Sequence, residues 1–384
     1  MNRKLTLDSV VIATHVYTTG PAQDLKDYLN GETIENLLFI GHPLFFDKKL
    51  KGSGYEKYRN GNLTEENYAP IKKTPAIFSY FKDIWLTIKW VIQTGRKWDL
   101  FVGSDNLNAL SGILLKKLGH VKKVIYYVID YNPYRFENKA LNYIYHKIDQ
   151  FCVRNADETW NLSPRMEWGR RKYFGFTGGN QKVVPVGVWT ERINPNVKKI
   201  PNSLVFMGHI TKKQGIQDVI EVIPKIIKKI PNFKFVVFGG GDYLDTLKEL
   251  AVDLNISKFI EFKGYIKDHQ DIEAQLPQYS LAIAPYEKYD DKGHLSFTYF
   301  ADPAKLKLYI ACGLPVLVSD VPYNSKEIGN NGCGAIIRND LSKDIVDILI
   351  DKTKLKSLSQ NTISYAKSLS WKQIFSQAIN EKYH

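Results

Sequence analysis

Cysteine is scarce in this 384-residue sequence, which contains three: Cys152, Cys312 and Cys333. They lie far apart and form no Cys-x-x-Cys pair. This spacing excludes a disulfide-stabilised scaffold and a structural zinc site of the usual kind. Isolated cysteines are typical of a reducing compartment, so we expect a cytoplasmic protein.

Long hydrophobic runs are also missing. No window holds the ~18 uncharged apolar residues that a membrane-spanning helix needs. The nearest candidate, residues 77–92, is interrupted by Lys82, Asp83 and Lys89. Residues 1–8 lack the apolar core of a secretory signal. We therefore expect a chain that does not cross a membrane.

Acidic residues are too few to balance the basic ones. The chain has 53 Lys and Arg against 40 Asp and Glu, a formal net charge of +13. The basic residues are spread along the chain, and no known nucleic-acid-binding module is present. The excess fits an anionic small molecule or an anionic membrane surface, and we expect no nucleic-acid partner.

Residues 75–96 predict an amphipathic helix. Helical spacing places apolar residues, including Phe81 and Trp85, on one side, with Lys82 and Lys89 elsewhere. Such a helix can lie in the interface of a membrane at the cytosolic face. It can equally pack its apolar side against a sheet. Both interpretations stay open.

The rest of the chain alternates short apolar strands with amphipathic helices, twice over. We predict an α/β protein of two doubly wound, Rossmann-like domains facing one cleft. The predicted boundaries are a first domain at 1–188, a linker at 189–202, a second domain at 203–370 and a final helix at 371–384. Strand 183–188 would close the first sheet. The polar stretch 48–75 is expected to be a mobile loop near a ligand opening.

Polar residues follow the predicted strands of the first domain. His15 and Gly20 follow strand 9–13, and Ser104 and Asp105 end strand 98–105. Ligands bind at the carboxyl ends of parallel strands, so these four are candidates for binding an acceptor. Asp130 follows strand 123–129 and is a candidate for chemistry, or for capping the next turn.

Residues 302–319 predict a short helix that leads into a buried strand. Asp302 would cap the helix, Pro303 would occupy its first position, and Gly313 would end it. The amino-terminal end of such a helix, with Lys305 nearby, suits a phosphate or diphosphate. An ordinary crossover helix is the alternative.

Several motifs of the second half resemble one family in order and spacing. They are Met207-Gly208-His209-Ile210, Gln214-Gly215-Ile216, Phe238-Gly239-Gly240-Gly241-Asp242, Phe262-Lys263-Gly264-Tyr265-Ile266, Ala284-Pro285-Tyr286 and residues 305–319. This pattern resembles the C-terminal domain of GT-B glycosyltransferases, most of all the retaining family-four group. A galactofuranosyltransferase-like branch is possible. In this family the last helix crosses back to the first domain.

The resemblance implies a nucleoside diphosphate sugar donor on the second domain and an acceptor on the first, with no metal or other cofactor. Lys305 and Asp130 are the candidate catalytic residues. The implied donor-binding residues are Gly208, His209, Lys212, Lys213, Gly240, Tyr265, Ile266, Asp302, Pro303, Ala304 and Tyr309.

The sequence departs from the family at several positions. The family's paired glutamates would fall at Phe300 and Leu308, so Tyr309 becomes the candidate for the ribose. His209 and Gln214 stand where an Arg and a Lys are usual, and Lys212 or Lys213 would then supply the charge.

We therefore expect a metal-independent, retaining glycosyltransferase that acts on a saccharide or lipid-linked acceptor in cell-surface glycan synthesis. The acidic loop 286–301 lacks metal-ligand spacing. Two alternatives remain: a nucleotide-sugar epimerase of the same fold, and a non-catalytic subunit that binds a sugar nucleotide.

Overall fold

The computed structural model describes residues 7–15, 19–43, 52–70 and 76–380. The chain divides into two compact units. The first domain comprises the residues up to Pro185 together with those from Ile374 onward, and the second comprises Val186–Gln373.

The first domain is built on an eight-stranded sheet in the order β4-β3-β2-β1-β5-β6-β7-β8. Its strands are β1 (Ser9–Thr14), β2 (Asn36–Gly41), β3 (Gly54–Arg59), β4 (Asn62–Tyr68), β5 (Trp98–Gly103), β6 (Val121–Val128), β7 (Glu158–Asn161) and β8 (Gln181–Val183). Its helices are α1 (Pro21–Gly31), α2 (Ala76–Gln93), α3 (Asn106–Lys117), α4 (Lys139–Asn155) and α5 (Pro164–Phe174). The strands from β2 through β8 in the sheet order run parallel, as predicted.

Two predictions for the first domain were wrong. The described part of segment 48–75 is an antiparallel hairpin, β3 and β4, that extends the sheet beyond β2. Asn60 and Gly61 form its turn with φ of 49° and 78°, the left-handed pair that a tight hairpin requires. The strand predicted at 183–188 also lies earlier in the chain, since β8 comprises Gln181–Val183 and shares only Val183 with the predicted range.

The second domain contains a six-stranded parallel sheet in the order β11-β10-β9-β12-β13-β14. Its strands are β9 (Ser203–Met207), β10 (Lys234–Phe238), β11 (Ile260–Gly264), β12 (Leu281–Ala284), β13 (Val316–Val318) and β14 (Gly334–Ile336). The helices are α6 (Ile216–Ile227), α7 (Leu244–Asp253), α8 (His269–Gln275), α9 (Phe297–Phe300), α10 (Ala304–Ala311), α11 (Ser325–Asn330), α12 (Leu341–Ile350) and α13 (Lys352–Ala366).

Both faces of this second sheet are buried. Successive strand residues point to opposite faces, so Val205 joins the core cluster that contains Leu306 of α10, whereas Leu204 and Phe206 join the cluster that contains Ile216 of α6. This explains why the strands are continuously apolar rather than alternating.

The final helix, α14 (Trp371–Asn380), begins in the second domain, and its residues from Ile374 onward belong to the first. Within the first domain the Phe375 ring lies 5.6 Å from that of Tyr28, and Lys182 donates a 2.8 Å hydrogen bond to the Ala378 carbonyl. The chain therefore returns to its first domain, as the resemblance implies.

Candidate donor and acceptor sites

Lys305 lies in the first turn of α10, beside the carboxyl end of β9. Its Nζ donates a 2.6 Å hydrogen bond to Gln214 Oε1 and lies 4.2 Å from the ring centroid of Phe206 and 5.0 Å from that of Tyr286. Burial lowers the pKa of Lys305 to about 7. Among the described residues, no carboxylate forms an ion pair with it. The ammonium group thus has aromatic faces and one amide around it but no counter-charge.

Three strand ends meet next to this lysine. Gly208 N–H donates to the Phe238 carbonyl (3.0 Å), Ile210 N–H to the Gly240 carbonyl (2.9 Å), and Gly239 N–H to the Gly264 carbonyl (2.9 Å). Gly208 has φ of 147°, and a Cβ there would lie 2.7 Å from Lys305 Nζ. The φ value favours glycine at 208, and the lack of a side chain there leaves room for Lys305 Nζ.

The other predicted donor residues differ in accessibility. His209, Lys212 and Lys213 are exposed, and Lys212 makes only a long contact of 3.9 Å with Asp291. Tyr265 follows β11 and is 78% exposed. Ile266 packs partly against the core. Sequence reasoning missed the role of Gln214, whose buried side chain accepts the hydrogen bond from Lys305.

The predicted cap of α10 was wrong. Pro303 occupies the N-cap position, and Ala304 begins the helix. The buried Asp302 accepts hydrogen bonds of 2.8 Å from Val186 N–H and from Asn324 Nδ2, and it lies 3.4 Å from Lys307 Nζ. Burial raises the pKa of Asp302, and Lys307 counteracts the rise. Asp302 therefore holds the domain together rather than facing the amino-terminal end of the helix.

Tyr309 does not fit the predicted ribose contact. It is fully buried, and its hydroxyl accepts a 2.6 Å hydrogen bond from Met207 N–H at the end of β9. Phe300 and Leu308 are also buried in the apolar interior. The positions of the family's glutamates are thus core positions here, which suits the apolar residues that occupy them. Gly313 ends α10 as predicted, with φ of 67°.

In the first domain, residues at the carboxyl ends of β1, β2 and β5 form one polar cluster. His15 Nδ1 lies 2.7 Å from Asp105 Oδ2, and His15 Nε2 lies 3.6 Å from Asp83 Oδ2. His42 Nδ1 lies 3.5 Å from Asp83 Oδ1, and its Nε2 lies 2.8 Å from Thr87 Oγ1. We call His15, His42, Asp83 and Asp105 the switch-point cluster.

The charges of this cluster are fixed by its geometry. Burial lowers the pKa of His15, but Asp105 and Asp83 outweigh it and raise the value to about 10. Burial tends to raise the pKa of Asp105, yet His15 and Asn108 lower it to about 2. Burial, followed by the charge of His15, lowers the pKa of His42 to about 3. At neutral pH the cluster contains one imidazolium, two carboxylates and one neutral imidazole.

The structure brings together only some of the predicted acceptor residues. His15 and Asp105 are in contact, and Ser104 precedes Asp105. Gly20 instead precedes α1, where its carbonyl accepts Asp24 N–H (3.0 Å). Asp130 is exposed and paired with Arg135, whereas Asn132 Oδ1 caps the following turn through Tyr134 N–H (2.9 Å). Sequence reasoning missed His42 and Asp83, although His42 follows β2 as His15 follows β1.

Comparison with known proteins decides the family of the second domain. Residues 188–369 match the family model described as glycosyl transferases group 1. The match covers the second domain and does not extend to the first. The first curated relatives are matched over only 21% and 36% of their own length.

Two solved structures resemble this chain over nearly all of its length. Sucrose-phosphate synthase from Thermosynechococcus elongatus has a TM-score of 0.74 at 14% identity, covering 97% of this chain and 98% of that one. HepE from Anabaena in complex with UDP has a TM-score of 0.67 at 11% identity, covering 97% and 99%. At these identities the likeness shows the fold, which is GT-B.

One curated relative is an alpha-monoglucosyldiacylglycerol synthase from Streptococcus pneumoniae. It is 27% identical over 150 residues, which cover 38% of this chain and 31% of the relative.

Proposed function

We propose that this chain is a glycosyltransferase that moves a sugar from a nucleoside diphosphate sugar to a saccharide or lipid-linked acceptor, in the synthesis of cell-surface glycans. The observation that carries the proposal is Lys305, a partly buried cation without a counter-charge among the described residues, in the first turn of α10 and beside Gly208. A diphosphate supplies the missing charge, and the amino-terminal end of a helix favours an anion.

The donor therefore binds to the second domain, near the ends of β9, β10 and β11 and the start of α10. Lys305 stabilises the leaving diphosphate, and the exposed Lys212 and Lys213 directly precede Gln214, the hydrogen-bond partner of Lys305. Tyr265 offers an exposed ring at the end of β11 for the nucleoside. With lysine charge and helix dipole available, the reaction needs no bound metal, and we propose that it retains the anomeric configuration.

The acceptor binds to the first domain, and Asp130, beside β6, is the candidate for contacting the reacting groups. This domain also has a surface suited to an anionic membrane at the cytosolic face. The outward stripe of α2 contains Phe78, Phe81 and Trp85, which are 62%, 67% and 57% exposed. Lys89 Nζ lies 4.9 Å from the Trp85 ring. The opposite side of α2 is buried, through Asp83, Leu86, Trp90 and Val91, and the exposure of this stripe supports the membrane interpretation.

A second helix of the first domain has a similar exposed stripe. Both α2 and α4 pack against α3, and α4 exposes Tyr143 and Ile144, with Lys147 Nζ 5.2 Å from the Tyr143 ring. Aromatic rings with neighbouring lysines suit the interface of an anionic bilayer. Among the described residues, no helix combines the length and hydrophobicity that crossing a bilayer requires. We therefore propose peripheral binding.

One assay separates the proposal from its alternatives. The chain is incubated with radiolabelled UDP- and GDP-sugars, with and without a bacterial lipid extract, and sugar transfer and donor hydrolysis are both measured. Lipid-dependent transfer supports a glycosyltransferase. Conversion of one sugar nucleotide into another indicates an epimerase, and binding without turnover indicates a non-catalytic subunit. Turnover lost with EDTA and restored by Mg²⁺ would refute metal independence, and an inverted anomeric signal in the product NMR spectrum would refute retention.

Membrane binding has its own test. Sedimentation with phosphatidylglycerol-containing vesicles should pull down the wild-type chain at low salt and less of it at high salt. Trp85→Glu should weaken binding about tenfold or more, because a buried aromatic ring contributes about 1.5–3 kcal/mol. Leu63→Glu is the control, since Leu63 is 51% exposed on the hairpin. Equal loss of vesicle binding in both variants, or unfolding of Trp85→Glu, would refute the proposal that this stripe binds the membrane.

A further inference from the structure

The switch-point cluster occupies the place in the first sheet where the strand order reverses. From β1 the chain goes to β2 on one side and later returns to β5 on the other. His15 and Asp105 stand at the ends of β1 and β5, on the two sides of this reversal. Parallel sheets bind ligands in the crevice at such a point.

Only one charged group of the cluster is substantially open to solvent. The Asp105 side chain is 26% exposed, whereas those of His15, Asp83 and His42 are 10%, 4% and 0% exposed. Asp105 Oδ1 accepts a 2.8 Å hydrogen bond from Asn108 N–H and keeps further accepting capacity. The other three side chains lie behind it.

The buried members hold Asp105 in one position. Its Oδ2 accepts from His15 Nδ1 (2.7 Å) and from Asn108 Nδ2 (2.6 Å). On its far side His15 faces Asp83, which accepts a 2.9 Å hydrogen bond from Ser53 Oγ. A carboxylate fixed in this way loses little side-chain entropy when it binds a ligand.

Two buried polar atoms nearby lack a partner within hydrogen-bond distance among the described residues. They are Ser104 Oγ, next to Asp105, and His15 Nε2. Buried polar groups are normally satisfied, so unsatisfied ones at a strand-order reversal indicate a site that a hydroxylated ligand or water completes.

We propose that Asp105 recognises a hydroxyl of a neutral, polyhydroxylated acceptor, and that His15 is a positioning residue for Asp105. This inference rests on the proposed function and adds the chemical class of the part of the acceptor that Asp105 contacts. A carboxylate accepts hydrogen bonds from sugar hydroxyls, whereas it repels a phosphate. His15 is not the base that activates the acceptor, because two carboxylates hold it protonated.

The full-length chain with ¹³C,¹⁵N-labelled histidine allows a direct test by NMR, with His15 assigned from His15→Gln. The probes are methyl β-D-glucopyranoside and inorganic phosphate at equal ionic strength. We expect the glucoside to shift the His15 ring signals saturably and phosphate to leave them unchanged. The proposal would be overturned if phosphate alone shifted the His15 signals, or if neither probe produced a saturable shift.

Variants tie the effect to Asp105. Asp105→Asn keeps a good N-cap for α3 but removes the charge, so glucoside affinity should fall at least tenfold, as for the loss of a charge-assisted hydrogen bond. Glu66→Gln, which changes an exposed carboxylate on β4, should leave it unchanged. Equal affinity in Asp105→Asn and wild type would contradict the inference. UDP titrations on the same samples report the donor site separately, so the two proposals fail independently.

Discussion

Replacing Lys305 with methionine should weaken donor binding and, at the same time, stabilise the protein. Methionine keeps most of the length of the lysine side chain and removes its charge. A diphosphate that loses one charge-assisted hydrogen bond loses about 1.5–3 kcal/mol, or roughly 10- to 150-fold in affinity. Gln214, Phe206 and Tyr286 surround Nζ and offer no other cation.

The stability effect follows from proton linkage. Burial lowers the pKa of Lys305 to about 7, against about 10.4 in an unfolded chain. Between these values the unfolded state binds more protons, so wild-type stability rises with pH from about 7 to 10. Lys305→Met removes this dependence. We therefore expect Lys305→Met to have a higher melting temperature than the wild type near pH 6–7, where burial of the charged lysine costs the wild type most stability.

The same pKa predicts proton uptake on donor binding. A diphosphate restores the preference of Lys305 for its charged form. In the unliganded protein near pH 7, Lys305 is partly deprotonated. The protein should therefore take up part of a proton when it binds UDP, and a larger part at pH 8. Calorimetric titration of UDP in buffers with different ionisation enthalpies measures this uptake directly. Lys305→Met should abolish it.

A matched control is available on α7. Lys248 is exposed and pairs with Asp245 at 3.1 Å, so Lys248→Met changes the same net charge without touching the site. It should leave UDP affinity, proton uptake and melting temperature nearly unchanged. If Lys305→Met binds UDP as tightly as wild type, or melts lower at pH 6–7, the assignment of Lys305 as an uncompensated donor-binding cation is wrong.

Three further predictions concern the groups that support the sites. Asp302→Ala should destabilise the second domain by about 3–5 kcal/mol, because it leaves Lys307 buried without its partner; urea unfolding with a smaller loss would contradict the ion pair. Tyr309→Phe should cost about 1–3 kcal/mol by orphaning Met207 N–H, with UDP affinity kept if Tyr309 does not contact the ribose. His15 has a raised pKa, so its stabilisation is complete below about pH 6.5 and disappears as pH rises toward 10. His15→Gln should flatten this slope in thermal unfolding, and an unchanged slope would show that His15 is not the titrating group.

The fold was predictable because its signals are local. Continuous apolar strands, amphipathic helices and Gly313 at a helix end are properties of short segments. The hairpin of β3 and β4 was missed because both strands are polar and the edge strand β4 is largely exposed, although Asn60-Gly61 is a strong hairpin-turn signal.

The site was predictable only where one short segment defines it. Lys305 follows from the motif at the start of α10. The role of Asp302 depends on Val186 and Asn324, which are 116 and 22 residues away. The switch-point cluster joins residues 15, 42, 83 and 105, whose proximity no local pattern reveals. Gln214 stands where the family commonly has a lysine, and only the fold shows that its neutral amide contacts Lys305 and supplies no counter-charge.

The two domains differ in whether a buried cation is paired with carboxylates, and this contrast bears on which ligand each domain binds. In the first domain His15 is compensated by Asp83 and Asp105, so the folded state keeps those charges at little cost and has no need of an anion. In the second domain Lys305 is desolvated without compensation, an arrangement that costs stability in the free protein. A destabilising cation in the first turn of α10 is best explained by a ligand that supplies the opposite charge. This contrast supports the proposal that the phosphate-bearing donor binds to the second domain and a neutral, hydroxylated acceptor to the first.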